Sequence, residues 1–115
     1  MASKYDQIIR KAYRGFNERK IKSVLSLMDS NVLWPKAFEG GHVKGHQAVG
    51  EYWTRQWNEI NPKVEPLEIT DREDGKVSVR VQQLVKDLEG TVLFDGETTH
   101  VFTFNEQLIL AMDLE

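Results

Sequence analysis

The apolar residues of this chain repeat with a helical period as far as Trp57 and with a period of two from about residue 66 onward. Tyr5, Ile8, Ile9, Ala12, Tyr13 and Phe16 recur at intervals of three and four, which places them on one stripe of a helix. Ser3 and Asp6 have the spacing of a capping-box variant at its start, and Asn17 suits its end and the cap of the next helix. Ile21, Val24, Leu25 and Met28 form a second, shorter stripe that stops at Asp29, Ser30 and Asn31, residues that favour local side-chain bonds over helix. A third stripe, Val49, Tyr52, Trp53, Gln56, Trp57 and Ile60, opens at His46 and is closed by Pro62, because the residue before a proline is pushed out of the α region.

The strands are read from alternation and turns. Val32-Leu33-Trp34 is a brief strand stopped by Pro35, which lacks a ladder donor; Glu39-Gly40-Gly41 and Gly45 are breaks. After Pro66, Leu67 and Ile69 alternate with charged neighbours, and Val77, Val79 and Val81 alternate with Ser78, Arg80 and Gln82. Glu73-Asp74-Gly75-Lys76, Glu89-Gly90 and Asn105-Glu106 supply the hairpin turns, with Gly96 a bulge or bend inside the run from Thr91 to Phe104. Leu108 to Leu114 is the last strand. Two short helices cannot hide both apolar stripes by themselves, so the sheet must cover them. The expected fold is α+β, in the order α-α-β-α-β-β-β-β, with a strongly curved antiparallel sheet wrapped around the helices as a cone. Such a cone leaves a cavity at its wide end.

Composition narrows the function classes. At 115 residues the expectation is a single domain spanning 1–115. Cysteine is absent, so disulfides and thiolate metal sites are excluded. A net charge of −3 with well-mixed signs argues against a nucleic-acid partner, which calls for a basic stripe. No stretch reaches the ~18 apolar residues of a membrane span, and MASKYDQ lacks a signal peptide's apolar core, so a cytoplasmic protein is expected. Val77, Val79, Val81, Val92 and Phe94 suggest an apolar outer sheet surface, which a homodimer through the sheet would cover.

Three segments resemble the NTF2-like superfamily and, within it, the SnoaL-like (polyketide cyclase-like) and ketosteroid isomerase-like branch. They are AYRGFNERKIKSVLSLMDSNVLW, GHVKGHQAVGEYW and HVFTFNEQLILAMDLE. The resemblance implies a cone-shaped domain and a small hydrophobic or aromatic ligand. It also implies cofactor-free acid–base chemistry of isomerase, cyclase, dehydratase or hydrolase type, or a non-catalytic ligand-binding or dimerisation module. Ketosteroid isomerases carry their base as an Asp just before a proline; here Trp34 precedes Pro35, so that reaction is not expected. Limonene-epoxide-hydrolase relatives use two aspartates and an arginine, types that Arg80, Asp95 and Asp113 supply.

The catalytic candidates are His100 and Asp113. His100 shares a strand face with Phe102 and Phe104; on a cavity wall it is a general acid or base, and on the outer face a sheet or dimer contact. Asp113 differs in parity from Leu110 and Met112, so only one of these sets points inward. In the resembled cyclases a catalytic Asp lies in the cavity. His42 and His46 are four apart, but Gly45 interrupts the helix a metal pair needs, so no metal or other cofactor is expected and His42 is placed at the cavity mouth. Trp34, Phe38, Tyr52, Trp53, Trp57, Phe102 and Tyr13 are the expected aromatic pocket wall.

Overall fold

The computed structural model describes residues 4–36 and 40–115. Ser3, Phe38 and Glu39 lie outside them, and with them part of the expected capping box, one expected wall residue and one residue of the first glycine turn. The helices are α1 (Asp6–Asn17), α2 (Ile21–Leu25) and α3 (His46–Trp57). The strands are β1 (Met28–Pro35), β2 (His42–Lys44), β3 (Ile60–Asp71), β4 (Val77–Asp87), β5 (Val92–Asn105) and β6 (Leu108–Leu114). They form one curved sheet, not closed into a barrel, in the order β2-β1-β6-β5-β4-β3. This is the expected α+β cone, with two differences. The sheet has a sixth strand, the three-residue β2, and it is mixed, because β1 runs parallel to β6.

Several boundaries move for identifiable reasons. Met28 leaves the second helix and starts β1 opposite Ile109, where it is fully buried. Asp29 keeps its local bond, accepting from the Asn31 N–H at 2.8 Å, but does so inside the strand. Ile60 and Pro62 belong to β3 rather than α3. Pro62 is tolerated there because β3 is a sheet edge, where a missing N–H need not break a ladder. Gly96 pairs in register with Gln83, and the irregularities of this hairpin fall instead between Val85 and Lys86. At α1 the cap position is Tyr5 with no side-chain bond, and Asp6 holds Arg10 one turn on at 2.8 Å. Asn17 does not cap α2. Its amide grips the open edge of β3, donating to the Val64 carbonyl at 2.7 Å and accepting the Val64 N–H at 2.9 Å.

The core lies between the helices and the inner face of the sheet, around Trp53, Phe102, Ile9, Val24 and Val49. Val77, Val79 and Val81 are part of it, at most 1% exposed. The expectation that they form an apolar outer surface is therefore corrected. Alternation decides which residues share a face, but not which face the helices cover. The outer face of β4 and β5 is polar: Arg80 holds Glu97 at 2.6 Å and Gln82 donates to Asp95 at 2.8 Å. Of the five residues named for that surface, only Val92 and Phe94 are exposed, near the tip of the β4–β5 hairpin.

Candidate functional site

The period-two alternation of β5 sends Phe94, Thr98, His100 and Phe102 toward the helices. Above them, the stripes of α1 and α3 deliver Tyr13, Phe16, Tyr52, Trp53 and Gln56, and β1 delivers Trp34. Together they bound a cavity of about 220 Å³. Its walls interlock through edge-on aromatic contacts: Trp34 meets Trp53 at 5.3 Å and 89°, and Phe16 meets Trp53 at 5.5 Å and 76°. Among the described residues no Asp, Glu, Lys or Arg lines it.

The buried polar centre is a pair. The Tyr13 hydroxyl lies 2.7 Å from Nδ1 of His100, and both residues are buried. Burial disfavours the charged form of each group. It lowers the His100 pKa to about 4 and raises that of Tyr13 well above its ordinary value. At neutral pH the pair is therefore an uncharged imidazole and an uncharged phenol, with two hydrogen-bonding groups joined and the imidazole's other edge left to serve the cavity.

His100 and Asp113 are not brought together. Met112 and Leu114 enter the cavity from β6, and Leu114 is the cross-strand partner of His100. Asp113, one residue away in parity, projects from the opposite face. Its Oδ1 lies 3.0 Å from Nε2 of His42, in a half-exposed pair that reaches across β1. His42 is thus on the outer side with Asp113 and does not line the cavity. His46 bonds the Met28 carbonyl through Nε2 at 2.9 Å, so the two histidines serve separate partners. Among the described residues no three His, Asp or Glu side chains gather as metal ligands. Arg80, Asp95 and Asp113 are likewise engaged separately, with Glu97, Gln82 and His42.

Of the expected wall, Trp34, Tyr52, Trp53, Phe102 and Tyr13 line the cavity. Trp57 stands behind it, packed on Phe16 at 5.3 Å and Trp53 at 5.9 Å, with the Arg19 guanidinium 4.8 Å over its ring. Three polar wall residues escaped the sequence reading as site residues: Gln56, Gln83 and Thr98. For Gln83 the signal was present. It continues the odd-numbered series Val77, Val79, Val81, so an amide sits on the apolar face of β4.

Solved structures of the same shape are numerous. TerC, co-crystallised with polyporic acid, is 25% identical with a TM-score of 0.84, covering 98% of this chain and 91% of its own. An NTF2-like protein of unknown function from Burkholderia pseudomallei is 21% identical with a TM-score of 0.84, covering 99% and 91%. RV0760c from Mycobacterium tuberculosis, in complex with estradiol-17beta-hemisuccinate, is 16% identical with a TM-score of 0.79, covering 93% and 88%. No curated protein matches the chain by sequence. The helix order, the curved open sheet and these likenesses agree with the match of residues 9–112 to the model of the SnoaL-like domain, and the chain belongs to that family, within the NTF2-like superfamily.

Proposed function

We propose that this SnoaL-like domain binds a small, uncharged, largely apolar molecule of one or two rings, oriented by His100. The observation that carries this reading is a cavity to which the described residues contribute no charged side chain, and whose buried polar centre is the Tyr13–His100 pair. A charged ligand would lose its hydration there without gaining a counter-ion, a cost of several kcal/mol or more. Size points the same way. An apolar cavity of about 150 Å³ accepts benzene, and drug-sized ligands occupy roughly 300–1,000 Å³, so about 220 Å³ suits a bicyclic body. With the Tyr13 O–H donating to Nδ1, the imidazole proton sits on Nε2 and is offered to a ligand carbonyl or hydroxyl oxygen. TerC with polyporic acid and RV0760c with its estradiol ester lend support, as relatives in shape, to a ring compound alone; its lack of charge and its size rest on the lining and volume of this cavity.

Acid–base turnover is the second reading, with His100 as the proton-transfer group. A base whose conjugate acid has a pKa of about 4 is neutral and available at pH 7, but it pulls weakly on a proton. Among the described residues no carboxylate opens into the cavity to assist it, so binding is the reading that the geometry carries further. The proposal extends to a cytoplasmic homodimer in which a second copy covers the exposed Leu88, Val92, Leu93 and Phe94 at the hairpin end; a monomer at ~0.1 mM in sedimentation would remove that part.

The test is titration with 2-naphthol, followed by the fluorescence of the cavity tryptophans Trp34 and Trp53. Saturable quenching that weakens in His100→Phe is expected. Quenching unchanged by that substitution would place the ligand elsewhere.

A further inference from the structure

We infer that the cavity reads its ligand at two points, with His100 at one and Thr98 and Gln83 at the other, so that the preferred ligand carries a hydrogen-bonding group at each end of a flat apolar body. This deepens the proposed binding function and rests on it. The inner face of β5 runs Phe102, His100, Thr98, Gly96, Phe94, and β4 answers in register, with Val79 opposite His100, Val81 opposite Thr98 and Gln83 opposite Gly96. Each two-residue step along a strand is roughly 7 Å. Thr98 therefore stands about 7 Å from His100, and the Gln83 row about 13 Å from it.

Gly96 leaves the far station to the neighbouring Phe94 ring, whose edge comes within 3.4 Å of where a Gly96 Cβ would stand. Gly96 itself places no side chain across from Gln83, so the amide is not covered by its cross-strand partner. The flanking residues of the same face, Val81 and Val85, are at most 1% exposed. Neither Gln83 nor Thr98 makes a side-chain hydrogen bond to any described residue, although both line the cavity. A half-buried amide and hydroxyl without protein partners forfeit hydrogen-bond energy unless water or a ligand supplies it. The helices and β1 add the aromatic lining of Trp34, Tyr52 and Trp53, which contributes area but little direction. The sheet side of the slot thus carries His100, Thr98 and Gln83 as polar groups among apolar neighbours such as Phe94 and Phe102. The plainer account, an amide simply hydrated at the mouth, predicts no preference for a second polar group on the ligand.

The experiment compares 2-naphthol with 2,6-dihydroxynaphthalene by calorimetry, in the intact protein and in the double variant Gln83→Leu with Thr98→Val. One additional net hydrogen bond of about 1 kcal/mol makes the diol bind roughly fivefold tighter to the intact protein. In the double variant that preference disappears, the diol then binding no tighter than 2-naphthol, whatever the change in the affinity of 2-naphthol itself. A diol that binds no better than 2-naphthol, or a preference that survives the double variant, overturns the inference while leaving the binding function standing. If neither compound binds, both fall. Thr98→Val alone, which keeps a β-branched residue on the strand, halves the preference and serves if the double variant fails to fold.

Discussion

The hydroxyl of Tyr13 on α1 and Nδ1 of His100 on β5 lie 2.7 Å apart, both buried. This hydrogen bond ties the first helix to the sheet across the cavity. Tyr13→Phe leaves the His100 nitrogen buried without its partner, and the protein should lose about 1–3 kcal/mol in urea unfolding. Because burial rather than the phenol is what depresses His100, its pKa read by NMR should stay well below the ordinary value in the variant. A return toward 6.5 would mean that Tyr13 does more than hold the ring.

The depressed pKa also fixes the direction of the pH dependence. An unfolded histidine takes up a proton below about 6.5, whereas folded His100 resists until about 4. Between these values the unfolded state binds more protons, so stability falls as the pH falls. The contribution is fully present above about pH 6.5 and is lost on the way to pH 4, by roughly 3 kcal/mol at most. His100→Gln should flatten this part of the stability curve measured from pH 7.5 to 4.5. A wild-type curve that is already flat there would contradict the burial of an uncharged imidazole.

The cone was legible because its elements are patterned by burial. The stripe through Ile9, Ala12 and Tyr13 and the alternation through Val77, Val79 and Val81 both mark residues that the structure buries. The side of the sheet that faces the helices was not legible, since a period of two is the same read from either face. That single choice put the valines inside and took Asp113 out of the cavity, while His100 stayed in with Phe102. Short pairings were also hidden. The three residues of β2 carry no alternation long enough to recognise, and Met28 reads equally well as the end of a helix or the start of a buried strand.

The outward course of Asp113 has a direct consequence. Asp113→Asn removes one side of an exposed pair with His42, and such pairs contribute 0–1 kcal/mol. Stability should change by less than about 1 kcal/mol, and 2-naphthol affinity should not move by more than about twofold. A large loss of binding with the fold intact would restore Asp113 to the site.

Asn17 should matter more than its position at a helix end suggests. It satisfies both the N–H and the carbonyl of Val64, on an edge strand that also lines the cavity. Asn17→Ala leaves two half-buried backbone groups to water and should cost about 2–3 kcal/mol in chemical denaturation. Asn17→Asp keeps the acceptor for the N–H but sets an oxygen against the carbonyl, so it should not recover the loss. A change below about 0.5 kcal/mol would show that water replaces the amide freely.

Gly15 marks the closest approach of α1 and α2. A Cβ built there would lie 2.6 Å from Cγ2 of Val24, a residue 1% exposed. Gly15→Ala gains helix propensity of about 1 kcal/mol, but overpacking of this kind costs about 1–3 kcal/mol, so the net change should be destabilising. Val24→Ala alone opens a cavity and destabilises as well. Because each change makes room for the other's fault, the double variant should be more stable than the sum of the two by about 1 kcal/mol in a denaturation cycle. Strict additivity would mean that the helices part without resistance, and that the glycine is not what lets α2 sit so close.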